Sequence, residues 1–138
     1  MCGRYSMTQD ARKVSRRFGV RKPPEALAAR YNIAPSQDAP VVLDEGTGRQ
    51  LRLFRWGLVP SWAKEASIGH KMINARAETV MDKPSYKIPF QRRRCLALAD
   101  GFYEWRREDG LSAYEVSPAV NSPANDTPAC LEPVPALF

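Results

Sequence analysis

Two neighbouring segments in the first half of the chain have the pattern of β-strands, since residues 40–44 are mostly apolar and residues 51–53 alternate apolar and polar side chains. Residues 40–44 and residues 49–56 flank a Glu-Gly-Thr-Gly stretch, which is typical of a hairpin loop. Within the second segment, Leu51 and Leu53 are expected to face a core while Arg52 faces solvent. The pattern therefore predicts a β-hairpin.

A helical period is present near the N-terminus. Apolar residues three or four positions apart predict a helix over residues 9–18, with Asp10 in its first turn. Thr8 is placed to cap the start of this helix, and Gly19 is placed to end it. The apolar face would carry Ala11, Val14 and Phe18.

The rest of the chain predicts short elements separated by loops. A second short helix is expected over residues 75–81, an extended loop that ends in a turn over residues 31–35, and mostly loop over residues 57–73. Apolar runs at residues 95–99 and 102–105 predict two more strands. Since most of these elements are strands, the expected class is a β-rich α+β fold with short peripheral helices.

Charge divides the chain into two unequal parts. The net charge is +6, but residues 1–110 carry 21 basic and 12 acidic side chains, whereas residues 111–138 carry three acidic side chains and no Lys or Arg. A surplus of basic groups suits a polyanion partner, of which nucleic acid is the leading candidate. A solvated basic surface would have the same composition, so charge alone leaves both interpretations open.

Other features of the composition narrow the classes of protein. No apolar run approaches the roughly 18 residues of a membrane-spanning helix, and the N-terminus lacks the apolar stretch of a secretory signal. The three cysteines form no Cys-x-x-Cys pair, which disfavours a disulfide scaffold or a structural zinc site. We therefore expect a cytoplasmic or nucleoid setting, without membrane or metal partners.

Cys2 directly follows the initiator methionine. Removal of Met1 before so small a side chain would leave Cys2 as a 1,2-aminothiol at the N-terminus. Such a group reacts with an aldehyde, because the amine forms a Schiff base and the thiolate then closes onto the imine carbon as a thiazolidine. Arg4 nearby would favour the thiolate form. The alternative is a cysteine that follows Met1 by chance.

Three polar residues further along can assist such chemistry or serve ordinary structural roles. Asn74 can hydrogen-bond a reacting oxygen, or cap the helix expected after it. Glu104, among aromatic residues, either faces solvent or is half-buried with a raised pKa that suits proton transfer. Arg76 can contact a phosphate or pair with a surface acid.

Aromatic residues provide candidate contacts for bases. Trp62 and Trp105 can stack on the bases of single-stranded nucleic acid, whereas Trp56 is expected to pack in the core. His70, the only histidine, has no partner at a metal-ligand or triad spacing and is interpreted as a loop residue.

Five short motifs, taken together, resemble one known family. They are Met-Cys-Gly-Arg-Tyr at residues 1–5, Tyr-Asn-Ile-Ala-Pro at 31–35, Trp-Gly-Leu-Val-Pro-Ser-Trp at 56–62, Ile-Asn-Ala-Arg-Ala-Glu-Thr at 73–79 and Ala-Asp-Gly-Phe-Tyr-Glu-Trp at 99–105. In this order they resemble the SRAP family (SOS-response-associated peptidase), the abasic-site processing proteins. The resemblance covers residues 1–108 and resumes at residues 114–123, with residues 125–126 and 131–133 after them, as a block that resembles the family's C-terminal end.

The resemblance implies a function in DNA damage. Members of the family bind single-stranded DNA that holds an abasic site, and their N-terminal cysteine forms a thiazolidine crosslink with the ring-opened sugar, which shields the lesion. By motif, Cys2 would be the nucleophile, Asn74 would position the sugar and Glu104 would transfer protons. The peptidase name refers to proposed self-removal of Met1, in which Glu104 and Asn74 would also take part.

The resemblance also assigns contacts with DNA. Arg4 and Arg76 would hold the phosphates that flank the lesion. Pro35 and Trp105 would shape the site against neighbouring bases, and Asn32 would help to line it. No metal or organic cofactor is implied, and we expect a monomer.

One segment of the family pattern has no counterpart in this chain. The resemblance implies a His-x-Arg-Met-Pro segment in the second half, whose histidine helps to open the abasic sugar. We interpret residues 1–138 as a single domain in which residues 1–108 and 111–138 are joined across a missing block. An incomplete fold and impaired activity are therefore expected. A non-catalytic module that binds single-stranded DNA and an inactive remnant are the alternatives.

Overall fold

The computed structural model describes residues 3–22, 24–104 and 114–134, which form two three-stranded antiparallel sheets and several short helices. The predicted β-rich α+β class is confirmed. In chain order the elements are β1 (Arg4–Met7), α1 (Ala11–Phe18), β2 (Arg30–Ile33), β3 (Asp38–Asp44), β4 (Arg49–Arg55), the 3₁₀ helix η1 (Ala66–Lys71), α2 (Pro84–Arg92), β5 (Leu96–Ala97), β6 (Gly101–Tyr103), and the 3₁₀ helices η2 (Pro118–Asn121) and η3 (Pro128–Leu131).

The first sheet has the strand order β2–β1–β6. Strand β1 pairs antiparallel with β2, with Tyr5 opposite Ile33, and with β6, with Arg4 opposite Tyr103. Residues 31–35 are predicted as an extended loop, yet their first half belongs to β2. Pairing with a strand distant in sequence makes this segment a strand, and four residues are too few to show a strand period.

The second sheet has the strand order β4–β3–β5 and contains the predicted hairpin, since β3 and β4 pair along their whole length. Leu51 packs against the core as expected, but Leu53 is 60% exposed. The predicted buried strand at residues 95–99 is reduced to two exposed residues of β5, and Leu98 alone is buried. Alternation assigns a side chain to a face but does not show whether that face is covered.

Helix α1 follows the predicted apolar pattern, but its cap differs. The side chain of Asp10 accepts a hydrogen bond from the backbone N–H of Lys13 at 2.8 Å and so caps the helix. Thr8, the predicted cap, instead donates its backbone N–H and its hydroxyl to Asp100 Oδ2 at 2.6 and 2.7 Å. Gly19 ends the helix with a φ of 66°, as predicted.

Residues 75–81 do not form the predicted second helix. Residues 77–82 form turns, and one such turn is closed by a hydrogen bond from the Thr79 N–H to the Arg76 carbonyl at 3.2 Å. The helix in this region is α2, which begins at Pro84. A proline in the first turn of a helix loses no hydrogen bond, because the N–H groups there have no intrahelical partner.

The main apolar core joins α1 to both sheets. Its buried members are Tyr5, Met7, Val14, Val20, Ile33, Ala39, Val42 and Leu98. Trp56 packs against this cluster, with its ring centroid 5.1 Å from that of Tyr5, so the expected core position of Trp56 is confirmed.

Gly57 allows the loop after β4 to touch η1. Its φ is 132°, and a Cβ on Gly57 would lie only 2.6 Å from the carbonyl oxygen of Gly69. The indole N–H of Trp56 donates to the carbonyl of Ile73 at 3.3 Å. These contacts attach the segment that leads to Asn74 to the core.

We expect Gly57→Ala to destabilise the fold by about 3 kcal/mol or more, because it adds a clash with Gly69 to a left-handed backbone strain. Gly46→Ala is the matched control, since Gly46 has a φ of 87° and nothing within 4 Å of an added Cβ. Its cost should be about 1–2 kcal/mol. Urea unfolding followed by circular dichroism measures both losses, and equal losses would contradict a steric requirement at Gly57.

Candidate nucleic-acid interface

Two strand ends meet beside the N-terminus. Strand β1 begins two residues after Cys2, and β6 ends one residue before Glu104. The two strands are antiparallel, with Arg4 opposite Tyr103, so the start of β1 lies beside the end of β6. Cys2 and Trp105 lie outside the described residues, and their assignments stay predictions.

Glu104 is exposed where β6 ends, whereas the preceding Tyr103 is half-buried. Of the two alternatives for Glu104, the solvent-facing one therefore matches the structure. The role of Glu104 in proton transfer stays a prediction.

Asn74 caps no helix in the described part of the chain, because α2 begins ten residues later and Lys83 precedes it. Asn74 is exposed, and its backbone carbonyl accepts a hydrogen bond from the hydroxyl of Tyr86 at 3.1 Å. Together with the bond from Trp56 to Ile73, this contact fixes the backbone at Asn74 from both sides. The capping alternative is therefore wrong.

A cleft of about 360 Å³ lies beside Asn74. Its lining includes the cationic side chains of Arg76 and Lys83 and the hydroxyl-bearing Thr79 and Tyr86. Burial raises the pKa of the Tyr86 phenol, which therefore remains a neutral hydrogen-bond donor at physiological pH. Two cations, an amide and the Thr79 hydroxyl together suit an anionic ligand such as a phosphate. Of these two cations, only Arg76 lies within the motif at residues 73–79.

Trp62 lies on a second cleft that also borders α2. The indole is 60% exposed, and the cleft is lined by residues 58–62 together with Ile88 and Arg93, among others. An exposed indole next to a cation can stack on an unpaired base. The structure thus leaves the Trp62 ring accessible, as the stacking interpretation requires.

Pro35 is half-buried in the turn that follows β2.

Arg4 and Asn32 contact the C-terminal part of the chain. The side chain of Asn32 is completely buried, and its oxygen accepts a hydrogen bond from Arg4 Nη1 at 3.1 Å. Its amide nitrogen donates to three backbone carbonyls, those of Val120, Ser122 and Asn125. Arg4 itself donates to the carbonyls of Val120 and Asn121 at 2.8 and 3.0 Å. DNA contacts by Arg4 and Asn32 stay predictions, and the burial of Asn32 does not support a direct one.

Asp126 is a partner of β2 that the motifs did not reveal. Its carboxylate accepts hydrogen bonds from the Arg30 guanidinium and from the backbone N–H groups of Tyr31 and Asn32. Partial burial acts to raise the pKa of Asp126, but these hydrogen bonds outweigh it and hold the pKa below its usual range. The side chain therefore stays charged near neutral pH. In the sequence, the one indication of Asp126 is that it lies in a segment resembling the C-terminal end of the family pattern.

Tyr103 is held in the same region. Its hydroxyl donates towards the carbonyls of Tyr31 and Cys130, at 2.7 and 3.2 Å. Burial, with smaller contributions from Cys130 and other nearby groups, raises the pKa of Tyr103 to about 12. A neutral phenol thus ties β6 to β2 and to the C-terminal part of the chain.

Residues 3–22, 24–104 and 114–134 bring no three His, Cys, Asp or Glu side chains together as a metal site requires. None of the helices in these ranges could span a membrane. His70 lies in η1, where its Nδ1 is 2.8 Å from the hydroxyl of Ser36. The sequence did not predict this contact.

The chain is similar to one protein family and to individual relatives that are named for the processing of abasic sites. The family model for SOS response associated peptidase (SRAP) matches residues 1–130. The abasic site processing protein YoqW of Bacillus subtilis is 42% identical over 111 residues, which cover 79% of this chain and 50% of that protein. The abasic site processing protein HMCES of Mus musculus is 35% identical over 135 aligned residues, which cover 81% of this chain and 38% of that protein. The chain therefore spans about half or less of the length of these relatives.

We expect the contacts of Asp126 to make the fold sensitive to acid. Because the pKa of Asp126 is lower in the folded chain than in the unfolded chain, its stabilisation is complete above about pH 5 and is lost as the pH falls through the folded-state value. Asp126→Asn should cost on the order of 1 kcal/mol at pH 7, after allowance for a carboxylate that is only partly buried. Urea unfolding between pH 7 and pH 2.5 measures the loss.

The control for this experiment is Asp82→Asn, since Asp82 is exposed. The stability of Asp126→Asn should approach that of the native chain at low pH, whereas Asp82→Asn should follow the native chain throughout. A difference between Asp126→Asn and the native chain that does not shrink at low pH would contradict the role of the carboxylate.

Proposed function

Because the chain belongs to the SRAP family, as its five motifs predict, we propose that it processes abasic sites in DNA. The observation that carries this proposal is the antiparallel pairing of β1 with β6, which sets the start of β1 beside Glu104. Relatives named abasic site processing proteins support the same activity. The partial coverage of those relatives is consistent with the block that the motif comparison finds missing.

The proposed reaction is a condensation between Cys2 and the ring-opened sugar of an abasic site. The free amine of Cys2 attacks the C1′ aldehyde, and loss of one water gives an imine. The thiolate then bonds to the imine carbon while the nitrogen takes up a proton, which yields a thiazolidine. The carbon keeps its oxidation level, so the reaction requires no oxidant or reductant.

Two side chains would assist this condensation. Glu104, exposed at the end of β6, can exchange protons with water and with the condensing groups. Asn74, on the rim of the cationic cleft, can hydrogen-bond a hydroxyl of the opened sugar. The same two residues would take part in self-removal of Met1, which has to precede the condensation because Met1 blocks the amine.

Single-stranded DNA is the proposed substrate form. Arg76 and Lys83 would hold backbone phosphates in the cleft beside Asn74, and Trp62 would stack on a base that is not paired. We expect the protein to act as a monomer in the cytoplasm, at damaged DNA. A plain single-strand-binding module would use the same cleft and the same indole, but it would not distinguish abasic from intact DNA.

Incubation of the native chain with an oligonucleotide that holds one abasic site should give a band that resists heat and denaturant. Cys2→Ala should reduce this crosslink by about 100-fold or more, since it removes the thiol that closes the ring. The control is Cys95→Ser, because Cys95 is an exposed thiol away from the N-terminus. Denaturing gel electrophoresis measures the yield, and mass spectrometry reports whether Met1 is absent. Equal crosslinking by Cys2→Ala would rule out the thiazolidine.

Arg76→Ala should weaken the binding of intact single-stranded DNA and make it less dependent on salt. Loss of one phosphate contact should lower the slope of log affinity against log salt by about 0.7. Arg12→Ala serves as the control, since Arg12 is exposed on α1 and its substitution removes the same charge as Arg76→Ala. Fluorescence anisotropy at several salt concentrations measures both slopes. An unchanged slope for Arg76→Ala would exclude Arg76 as a phosphate contact.

A further inference from the structure

Residues 114–134, which we call the C-terminal clasp, contact all three strands of the first sheet. The clasp is closed on itself by a bridge between Val116 and Pro133. It receives hydrogen bonds from Arg4 on β1, from Asn32 on β2 and from Tyr103 on β6. These partners are 27 to 116 residues away along the chain.

Asn32 is the centre of these contacts. Its side chain is 0% exposed, and its amide nitrogen lies 2.8 to 3.0 Å from three clasp carbonyls. Its oxygen accepts from Arg4, and its backbone N–H donates to Asp126 of the clasp at 2.9 Å. Each polar group of this buried amide is therefore paired with the clasp or with β1. Loss of the amide would leave several buried groups unpaired.

Arg4 uses a fork of donors on the clasp. Nη1 donates to the carbonyl of Val120 and to Asn32, while Nη2 donates to the carbonyl of Asn121. A guanidinium can span two neighbouring carbonyls in this way, whereas a lysine ammonium presents a single nitrogen. Arg4 is also only two residues from Cys2. The start of β1 is thus held by the clasp.

Tyr103 holds the end of β6 in the same way. Its hydroxyl lies 3.2 Å from the carbonyl of Cys130, which is itself 1% exposed. Tyr103 is paired with Arg4 across the sheet and directly precedes Glu104. The clasp therefore contacts two opposite residues, one on β1 and one on β6. At this end of the sheet Cys2 shortly precedes β1 in the sequence and Glu104 directly follows β6.

We infer that the clasp sets the position of Cys2 relative to Glu104, with Arg4 and Asn32 as positioning residues. The inference rests on the proposed condensation, and it gives Arg4 a role different from the phosphate contact that its motif implies. Small displacements of reacting groups slow a reaction strongly, so a loosened clasp should slow the condensation after DNA has bound. Affinity for intact DNA should not change.

The test compares Arg4→Ala with Arg4→Lys in the full chain. If Arg4 holds the clasp, both variants should slow crosslinking at saturating abasic DNA by about tenfold or more. Their affinity for intact single-stranded DNA, and the slope of that affinity against salt, should match the native chain. Arg52→Ala is the control, because Arg52 is exposed and pairs only with exposed Glu45 among the ion pairs of the described residues. Its crosslinking rate should stay native.

The opposite result identifies a phosphate contact. In that case Arg4→Lys would behave as the native chain, since it keeps the charge, and Arg4→Ala would lower the salt slope by about 0.7 without slowing crosslinking at saturation. That outcome overturns the inference. If the native chain forms no crosslink, the proposed function is refuted. Hydrogen exchange then remains the measurement that tests whether the clasp holds the sheet.

Hydrogen exchange supplies that second measurement. Loosening the clasp with Asn125→Ala removes a bond from Asn125 to the carbonyl of Ala119 and leaves β1 and β2 unaltered. The backbone amides of Tyr31 and Asn32, which donate to Asp126, should then exchange about tenfold faster, and crosslinking should slow in parallel. Faster exchange with a native crosslinking rate would show that the clasp is only structural, and would contradict the inference.

Discussion

The buried amide of Asn32 is the contact on which the arrangement of the first sheet depends. Residues 114–134 have few ladder hydrogen bonds of their own, so their carbonyls need donors from elsewhere. Asn32 and Arg4 supply those donors, and Asp126 returns an acceptor to the backbone of β2. Each of these groups would cost about 1–3 kcal/mol if buried without a partner. Segment and sheet therefore stabilise each other.

A second constraint links the core to the cationic cleft. The ring of Trp56 lies against that of Tyr5 at an angle of 57°, and its indole N–H donates to the carbonyl of Ile73. The close approach of Gly57 to Gly69 holds the same loop from the other side. The backbone at Asn74 is thus positioned by packing that begins in the centre of the molecule. Asn74 is therefore oriented by these loop contacts and not by a helix.

Local patterns predicted the parts of the fold that depend on neighbours in sequence. The hairpin of β3 and β4 and the apolar face of α1 follow from period and turn residues, and both are confirmed. The helix expected over residues 75–81 is wrong because a proline that can end one helix can equally begin the next. The contacts of Asn32 with a segment about 90 residues away have no local pattern at all. A motif could mark Asn32 as important, but it could not distinguish contact with DNA from contact with the chain itself.

The uneven charge of the chain has a structural use as well as a functional one. The C-terminal clasp has no Lys or Arg, and it lies against Arg4 and Arg30 of the basic part. Arg30 is paired with the Asp126 carboxylate and Arg4 donates to clasp carbonyls, so both guanidinium groups already have partners within the fold. Arg76 and Lys83 line an open cleft instead. The phosphate contacts of the proposed DNA complex are therefore better sought around that cleft than among all the cations that the composition counts.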